Sequence, residues 1–571
     1  MKRDLKALST DAYDVLIIGG GIYGACLAWD AVLRGLSVAL LEKRDFGSAT
    51  SSNSLKIIHG GLRYLQHADF KRMRESIRER TTLMRIAPHL VHPLPILIPT
   101  YGRGINGKGA LYLAMLLNDL ISYDRNNLRD PGKHIPRGRI IARREVLQLI
   151  DGVRPENLTG AAIFVDAQVY NSERLVLSFL HSAEKAGAEV ANYVRVTGFL
   201  RQGDSIIGVI AKDELSGDSF EVRSKMVVNA TGPWSDSIHS LLKGQWPSHI
   251  PLAKAFNIVT RPLVQTHALG LFSRRMYRDA GAVVRKGGRF LFISPWRNYS
   301  LIGTAHLPYD ENPDQCSVTE EEIQNFLDEI NEAYPSAELK MEDVLLVQSG
   351  LLPCASISHH RKECQLLKQY QIRDHRAEGV TGLISVIGVK YTTARHVAEK
   401  VVDSIFESWG QIPPEAKSSA TPLYGGGIDN FNAFLDDEIR KQGQVFGEAE
   451  VRRLIYNYGS AYQDVLRRVD GSAEGVRTRD DLRLLKAEVL HGIDQEMAQT
   501  LSDVVFRRTE IGSAGHPGEG MLERSAQIMG LALGWSSERR QQELQAVTTT
   551  FTRSHAAVRR DGTQLAGAAI Q

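Results

Sequence analysis

One stretch restricts the fold of this chain more than any other, namely residues 13–45, YDVLIIGGGIYGACLAWDAVLRGLSVALLEKRD. An apolar run leads into a glycine-rich turn, a helix-like segment follows, and a second apolar run ends at Glu42. This order is typical of the strand–turn–helix–strand unit that binds dinucleotides. The sequence therefore predicts an α/β fold with a Rossmann-like cofactor domain.

The residue types in this stretch fit that chemistry. Gly19 allows the tight turn, Gly21 lets the backbone approach a pyrophosphate at the positive end of a helix, and Gly24 permits close packing of helix on strand. Glu42 would bind the ribose hydroxyls. A glycine turn without a ligand is the less favoured alternative. The motif alone does not separate FAD from NAD.

Length and charge narrow the class of protein. At 571 residues the chain exceeds what one hydrophobic core serves, so two or more domains are expected. Lysine plus arginine (69) nearly balances aspartate plus glutamate (66), which gives no indication of nucleic-acid binding. The four cysteines form no CxxC pair, so we expect a reducing compartment and neither a disulfide framework nor a metal site.

Three segments bear on location. The apolar run before Gly19 is too short for a signal peptide, so we expect a cytoplasmic protein. Residues 111–121, LYLAMLLNDLI, fall short of the roughly 20 residues of a spanning helix and predict a buried or amphipathic helix, with a membrane surface as the alternative. The basic segment 71–86, KRMRESIRERTTLMRI, fits a solvated face, or contact with anionic lipid at the cytoplasmic face of a membrane.

Three further motifs indicate where a cofactor would lie. Residues 51–66, SSNSLKIIHGGLRYLQ, combine hydroxyl groups, glycines and cations, which suits an anionic ligand. Residues 227–236, VVNATGPWSD, predict a strand running into a turn of small residues. Residues 386–401, VIGVKYTTARHVAEKV, predict a strand, a turn and a helix. Because these motifs are far apart in sequence, we expect a discontinuous cofactor domain.

Four motifs, in this order, resemble the aerobic FAD-dependent glycerol-3-phosphate dehydrogenases, within the glycine oxidase and D-amino-acid oxidase-like FAD oxidoreductases: ATSSNSLKIIHGGLRYLQ, NATGPW, FISPWRNYSLIGTAHLPY and VKYTTAR. The resemblance runs from about residue 13 to about residue 535. It implies FAD as the cofactor. It also implies a Rossmann-like FAD-binding domain interleaved with an α+β substrate domain and followed by a helical C-terminal domain.

The domain boundaries expected from this resemblance are 1–80, 160–245 and 380–410 for the FAD-binding domain, 81–159 and 246–379 for the substrate domain, 411–550 for the helical domain and 551–571 for a flexible tail. Two apolar faces with helical spacing are predicted in the C-terminal domain. They comprise Val451, Leu454, Ile455 and Tyr458 in one helix, and Leu490, Ile493, Met497 and Leu501 in another.

The resemblance also implies which residues contact FAD. In the family the segment equivalent to residues 50–61 wraps the flavin, and Lys390 matches a lysine near flavin and substrate, where an ammonium stabilises negative charge. His59, before two glycines, is equally compatible with a turn. The expected FAD contacts are Gly19, Gly21, Gly24, Glu42, Thr50, Ser51, Ser52, His59, Gly60, Gly61, Val194, Ala230, Thr231, Gly232, Trp234, Gly388, Lys390, Tyr391 and Thr392.

On the substrate side the chain departs from the family pattern. Leu352 stands in QSGLLPC where the family has an arginine, and Asn257 stands in AKAFNIV where it has a histidine, beside Phe256 in place of a small residue. Lys368 aligns with a further arginine, and His306 in GTAHLPY replaces an acidic residue. Leu352 and Phe256 would make the pocket more apolar. Losing one charge-assisted hydrogen bond weakens phosphate binding by about 10-fold to 100-fold.

The resemblance implies that Arg63 and Tyr64 face the substrate, where a guanidinium would hold an anionic group. Removal of hydride from an alcohol also requires a base for the hydroxyl proton. Asparagine cannot act as that base near neutral pH, so His306, another group or water would take the proton if Asn257 faces the substrate.

The resulting prediction is an FAD-dependent dehydrogenase that moves hydride from a secondary alcohol to flavin. By default it converts sn-glycerol 3-phosphate to dihydroxyacetone phosphate and passes the electrons to quinone. A larger or less charged hydroxy compound, or an amine, is the alternative substrate. A flavin-binding protein without catalysis is a third hypothesis. Homodimerisation and peripheral membrane contact stay open.

Overall fold

The computed structural model describes residues 1–61, 64, 68–102, 108–242, 250–273, 290–358, 363–469 and 480–554. The strands in these residues are β1 (Ala12–Ile18), β2 (Val38–Leu41), β3 (Ile57–Ile58), β4 (Val91–Tyr101), β5 (Arg139–Ala142), β6 (Leu158–Val169), β7 (Glu189–Ala191), β8 (Val194–Gln202), β9 (Ser205–Asp213), β10 (Ser219–Asn229), β11 (Leu252–Thr260), β12 (Ala268–Phe272), β13 (Phe290–Trp296), β14 (Tyr299–Tyr309), β15 (Val344–Ser358), β16 (Glu363–Leu366), β17 (Gln371–Asp374) and β18 (Leu383–Ile387). The α-helices are α1 (Leu5–Thr10), α2 (Ile22–Leu33), α3 (Phe70–Ile86), α4 (Lys108–Ile121), α5 (Arg143–Leu149), α6 (Ser172–Lys185), α7 (Ser235–His239), α8 (Glu320–Ala333), α9 (Ala394–Ser408), α10 (Phe431–Phe446), α11 (Glu448–Tyr458), α12 (Tyr462–Leu466), α13 (Asp480–Glu496), α14 (Leu501–Asp503), α15 (Glu519–Leu533) and α16 (Ser537–Ser554).

A first sheet has the strand order β17–β18–β10–β1–β2–β7, and the β8–β9 hairpin adds to β10. Strands β18, β10, β1, β2 and β7 run parallel. Successive residues of β1 are apolar because both faces are covered. Val15 and Ile17 pack with α2, α6 and α9, whereas Leu16 and Ile18 pack with the hairpin. This arrangement confirms the predicted α/β fold class.

A second sheet has the order β16–β15–β11–β14–β13–β12–β4–β6–β3, with β5 beside β6. Its pairing is antiparallel apart from β4 with β12, which is parallel. One face packs on α8 through Phe256, Ile258 and Phe326. The opposite face of β11 and β15 turns toward the first sheet and forms one wall of the candidate site.

The two sheets draw on alternating parts of the chain, as an interleaved arrangement requires. Strands β1, β2, β7 to β10 and β18 fall within the segments predicted for the FAD-binding domain. Strands β3 and β6 lie in the second sheet, and β17 lies in the first. The domain boundaries themselves stay a prediction, and the predicted tail from 555 onward lies outside the described residues.

Helices α10 to α16 form the helical C-terminal domain that the resemblance implies. The residues of the first predicted face are all buried in or at the end of α11: Val451, Leu454, Ile455 and Tyr458. The second predicted face is wrong, because α13 ends at Glu496. Met497 follows with a φ of +56°, which breaks the helical path, and Leu501 begins the separate helix α14.

Buried charges tie the C-terminal domain to the first sheet. Asp45, just after β2, accepts hydrogen bonds from Arg508 at 2.7 and 2.8 Å and from Arg507. Arg174 on α6 pairs with Glu496 at 2.8 Å. Burial alone would raise the pKa of Asp45, but Arg508 and Arg507 lower it to about 2. The carboxylate is therefore charged in the folded protein and compensates both guanidiniums.

The two segments considered for membrane contact are helical. No helix in the described residues is both long enough and apolar enough to cross a membrane. The prediction that α3 presents a solvated face is wrong for much of the helix, because several of its charged side chains pair with residues of other elements. Arg74 donates to Asp124 at 2.6 and 2.7 Å, and Glu79 is buried and accepts hydrogen bonds from Arg395.

Replacing Asp45 with asparagine should lower the free energy of unfolding of the FAD-loaded protein by about 3–5 kcal/mol, because the buried Arg508 loses the carboxylate it is hydrogen-bonded to and Arg507 keeps only Asp503. Because the pKa of Asp45 is depressed, its contribution to the free energy of unfolding is fully present above pH 3.8, the ordinary pKa. This contribution is lost as the pH falls toward 2. Urea unfolding at neutral and acidic pH measures both effects. Asp437→Asn is the control, because Asp437 is an exposed carboxylate. Equal stability of the two variants would contradict the anchoring role.

Candidate active site

A cavity of about 560 Å³ lies at the carboxyl ends of the parallel strands in the first sheet. Its walls come from the turns after β1 and β10, the loop after β18, and one face of β11, β14 and β15. The chain order reverses between β1 and β10, and open α/β sheets bind ligands at such a switch point. The volume is in the range of small-molecule and cofactor sites.

The glycine turn after β1 is shaped by contacts that leave no room for side chains. A Cβ atom on Gly24 would stand 1.8 Å from the carbonyl oxygen of Gly19. One on Gly19, whose φ is +108°, would stand 2.8 Å from the carbonyl oxygen of Ala230. Gly21 is the N-cap of α2, where a Cβ would meet Ser51 Oγ at 3.1 Å. The backbone is thereby kept open to a ligand at the positive end of the helix.

Glu42 lies at the end of β2 and lines the cavity. Its carboxylate accepts hydrogen bonds from the backbone amides of Gly20 at 2.7 Å and Arg44 at 2.8 Å. Burial raises the pKa of Glu42, although these amides act in the opposite direction. The carboxylate is thus held at one end of the cavity, and ribose binding by Glu42 stays a prediction.

Asp314 closes the same end of the cavity from the side of the second sheet. Its carboxylate accepts hydrogen bonds from Lys43 and Arg44, each at 2.9 Å, and from the indole of Trp234 at 3.0 Å. The ammonium of Lys43 also lies 4.2 Å from the Trp234 ring centroid. The sequence analysis missed Asp314, Lys43 and Arg44, because nothing near Asp314 in sequence indicates partners so far away.

The hydroxyl groups of the segment 50–61 hold the segment itself in place. Ser51 Oγ accepts a hydrogen bond from the amide of Ile22 at 3.0 Å, which caps α2. Thr50 Oγ1 donates to the carbonyl of Leu351 on β15 at 3.1 Å. Ser52 Oγ donates to backbone carbonyls within its own turn and does not line the cavity. These donors therefore position the backbone that surrounds the ligand.

Lys56 has a structural partner as well. Its side chain is buried, and Nζ donates to Glu173 and to Ser172 Oγ, each at 2.9 Å. A further bond runs to the carbonyl of Ser52 at 3.2 Å. Burial lowers the pKa of Lys56, while Glu173 raises it. Lys56 is one of the cations that made this segment resemble a binding site for an anion, but its charge compensates the buried carboxylate of Glu173.

The remaining residues predicted for FAD fall into two groups. Those behind the cavity wall are Gly24, Gly60 and Gly61, and Gly60 donates its amide to Asp166 Oδ1 at 2.6 Å. Those that line the cavity are Val194, Ala230, Thr231, Gly232, Trp234, Gly388, Lys390, Tyr391 and Thr392. The structure therefore brings together motifs that lie more than 300 residues apart.

The second sheet supplies the opposite wall through Asn257, His306 and Leu352. The expectation that Phe256 lines the pocket is wrong. Neighbouring residues of a strand point to opposite faces, so Phe256 packs against Phe326 of α8 with ring centroids 5.4 Å apart. Asn257 is held on both sides of its amide, since Nδ2 donates to Asn53 O at 3.1 Å and Oδ1 accepts from Thr304 at 2.7 Å.

Lys390 lies in the loop after β18, with its ammonium 4.1 Å from the ring centroid of Tyr64. The hydroxyl of Tyr23 fixes this loop. It donates to the carbonyl of Lys390 at 2.9 Å and accepts from the amides of Val389 and Lys390 at 3.1 and 3.2 Å. Lys390 and Tyr64 thus meet in the cavity, and their role toward a substrate stays a prediction.

One predicted substrate residue, Lys368, does not line this cavity. Lys368 lines a smaller adjoining cavity of about 180 Å³, which shares Val389 and Lys390 with the larger one. Its carbonyl accepts a hydrogen bond from Arg72 at 2.8 Å. Arg63 lies outside the described residues.

His59 lines the cavity with a carboxylate behind it. Its Nδ1 lies 3.9 Å from Asp166 Oδ2, and its ring packs near Phe292. Asp166 is itself buried and pairs with Arg80. The sequence analysis treated His59 as a flavin contact or a turn residue, because Asp166 is 107 positions away and no local pattern connects them.

Comparison with known proteins places this site in a family. The family model for FAD dependent oxidoreductase matches residues 14–384, and that for the C-terminal domain of alpha-glycerophosphate oxidase matches residues 417–540. The glycerol-3-phosphate dehydrogenase of Synechocystis sp. is 35% identical over 95% of this chain and 97% of its own. The chain belongs to the FAD-dependent glycerol-3-phosphate dehydrogenase family. The aerobic glycerol-3-phosphate dehydrogenase of Staphylococcus haemolyticus is 31% identical over 88% of each chain.

A solved structure supports the same family assignment. The crystal structure of the glycerol-3-phosphate dehydrogenase from Bacillus halodurans complexed with FAD aligns with a TM-score of 0.75 and 27% identity over 96% of both chains. Like its family, this chain is an FAD-dependent oxidoreductase. The glycines around α2 leave the space that a pyrophosphate requires, Glu42 would hold the ribose, and the Lys390 loop would hold the flavin end.

Substituting alanine for Gly24 should weaken FAD binding by about 10-fold to 100-fold, because the new methyl group forces α2 away from β1 at a cost of about 1–3 kcal/mol. Equilibrium dialysis with FAD and the flavin absorbance per chain measure this change. Gly520→Ala on α15 is the matched control, since a Cβ there meets nothing within 4 Å. Full FAD retention by the Gly24 variant would contradict the assigned role.

Proposed function

We propose that this dehydrogenase oxidises the C2 hydroxyl of sn-glycerol 3-phosphate to a ketone, giving dihydroxyacetone phosphate, and that quinone receives the electrons. The observation that carries the proposal is the cavity itself, in which the dinucleotide cradle and the ammonium of Lys390 share one space. The relatives named above are glycerol-3-phosphate dehydrogenases, which supports the substrate. Quinone follows from the resemblance of the four motifs to the aerobic members.

Bound FAD would supply the acceptor for one hydride, which carries both electrons of the oxidation. The residues of this chain orient the alcohol and handle charge. Lys390 holds the phosphate or the negative charge that develops during the reaction, and the Tyr64 ring keeps its ammonium in place. The adjoining cavity adds further cations beside Lys390, namely Lys71, Arg72 and Lys368.

The hydroxyl proton goes to His59 in this proposal. Asp166 Oδ2 lies 3.9 Å from Nδ1, where its negative charge would stabilise the imidazolium that forms. Asn257 has no basic nitrogen, and its amide is already bonded to Asn53 and Thr304. His306 also lines the cavity and is the alternative base.

Leu352 favours a second candidate, a hydroxy compound without a phosphate group. It lines the cavity wall, and its side chain offers no hydrogen bond. An uncharged or larger alcohol would lose less binding free energy than a phosphate ester when it contacts leucine at this position.

Anaerobic addition of sn-glycerol 3-phosphate should bleach the oxidised-flavin absorbance of the purified holoprotein. A titration should reach half-saturation only at a high substrate concentration. Leu352→Arg should lower that concentration by about 10-fold to 100-fold, because a guanidinium adds a charge-assisted hydrogen bond to phosphate. Leu531→Arg is the control, since Leu531 is exposed on α15.

The same experiment separates the two candidate functions. Absence of bleaching in the wild-type protein, with dithionite still reducing the flavin, would exclude sn-glycerol 3-phosphate. Bleaching by uncharged secondary alcohols, and weaker response to them in Leu352→Arg, would then favour the second candidate.

Exchange of His59 for glutamine should lower the rate constant of flavin reduction by substrate about 100-fold or more and flatten the acidic limb of its pH profile, because the proton acceptor is lost. His306→Gln is the matched comparison and should change the rate only a few-fold. Stopped-flow absorbance measures both, with FAD content as the check on binding. The reverse ranking of the two variants would assign the base to His306.

A further inference from the structure

Four residues at the rim of the large cavity connect its two walls. Lys43 and Arg44 follow β2 and Trp234 follows β10, so all three lie at the carboxyl ends of strands in the first sheet. Asp314 lies between β14 and α8, on the side of the second sheet. All four line the cavity. We refer to them below as the rim cluster.

Three hydrogen bonds of the rim cluster converge on one oxygen atom. Oδ1 of Asp314 accepts from Lys43 Nζ and from Arg44, each at 2.9 Å, and from the indole of Trp234 at 3.0 Å. The Lys43 ammonium also packs 4.2 Å from the Trp234 ring centroid, which keeps the cation beside its acceptor. Loss of the charge on this one carboxylate would therefore weaken all three bonds together.

The rim cluster is anchored on both sides. The amide of Asp314 donates to Asn312 Oδ1 at 3.0 Å, and the carbonyl of Asn312 accepts from Tyr309, at the end of β14, at 2.8 Å. On the other side, the amide of Arg44 donates to the carboxylate of Glu42 at 2.8 Å. The cluster therefore joins the second sheet to the end of the cavity at which Glu42 is predicted to bind ribose.

Solvent reaches the rim cluster. The side chains of Lys43, Asp314 and Arg44 are 25%, 40% and 51% exposed, although these residues also line the cavity. Ion pairs with this exposure are individually weak and are screened by salt. The pair of Asp45 with Arg508, in contrast, is fully buried and holds the fold. The exposure of the rim cluster suits a contact that opens while the protein stays folded.

We propose that the rim cluster retains FAD. Asp314 is a positioning residue that keeps the predicted ribose end of the cavity closed, and it releases its three donors each time FAD enters or leaves. Asp314 acts through Lys43, Arg44 and Trp234 and requires no bond to FAD itself. Because one opening step serves both directions, the cluster sets the rate of FAD exchange. The inference rests on FAD as the cofactor and is independent of the proposed substrate.

The test measures FAD exchange in the FAD-loaded full chain. The approach to equilibrium after dilution, followed by the fluorescence of free FAD at several concentrations of added FAD, gives the rate constants of release and entry. Asp314→Asn should raise both about 10-fold, because asparagine keeps the shape of the side chain and removes its charge. Glu311→Gln is the matched control and should exchange FAD like the wild type, since Glu311 is an exposed carboxylate nearby that does not line the cavity.

Salt and conservative variants separate FAD retention from a role in folding alone. Salt should speed FAD release from the wild type, because it screens the ion pairs, and should change release from Asp314→Asn much less. Asp314→Glu restores a carboxylate and should restore slow release. Trp234→Phe removes only the indole N–H, so release should become a few-fold faster and stay sensitive to salt.

Equal release rates in Asp314→Asn and Glu311→Gln would overturn the proposal. Faster release with an unchanged rate of entry would do so as well, because Asp314 would then be a simple binding contact without an opening step. Equal salt dependence in the wild type and in Asp314→Asn would contradict the ionic basis of the closure. Flavin bleaching by sn-glycerol 3-phosphate is a separate measurement, so failure of the proposed substrate would leave the result on FAD exchange intact.

Discussion

The close approach of α2 to the end of β1 is the constraint on which the cofactor site depends. Gly24 and Gly19 touch there without room for a methyl group, so the helix N-terminus is fixed at the floor of the cavity. Ser51 then caps that helix from the neighbouring segment, and Lys56 anchors the segment to Glu173 below it. The hydroxyls and the lysine act on the protein's own backbone, and the backbone in turn shapes the space for the ligand.

Local patterns were the part of the structure that could be predicted. The strand–turn–helix around Gly19 and the buried face of α11 each depend on spacing within a dozen residues, and both are confirmed. Phe256 was misplaced because strand register, which decides the face, comes from pairing with β14 and β15. The bonds of Asp45 to Arg508 and of Asp314 to Lys43 join distant parts of the chain, and no local pattern announces them.

The amino-acid sequence alone did not show which side chains of α3 and α4 are exposed and which have partners within the protein. The basic segment in α3 predicted a solvated face, with contact to anionic lipid as the alternative, yet Arg74 and Glu79 have partners on other elements. The apolar segment in α4 predicted a buried or amphipathic helix, and among the described residues Met115 is buried while Leu113 and Leu120 are exposed. In each helix the outcome depends on what the tertiary fold packs beside it, which the helical period does not reveal.

The cofactor and substrate sides of the cavity are built by different physical means. The cofactor side depends on backbone geometry, where Gly24 tolerates no replacement without moving a helix. The side proposed for the substrate depends on residues of β11, β14 and β15, such as Asn257 and Leu352. A strand keeps its pairing when a side chain on one face changes, because the ladder uses backbone groups. The substrate wall can therefore differ from that of the family while the FAD cradle stays intact, and the altered wall by itself is no argument against catalysis.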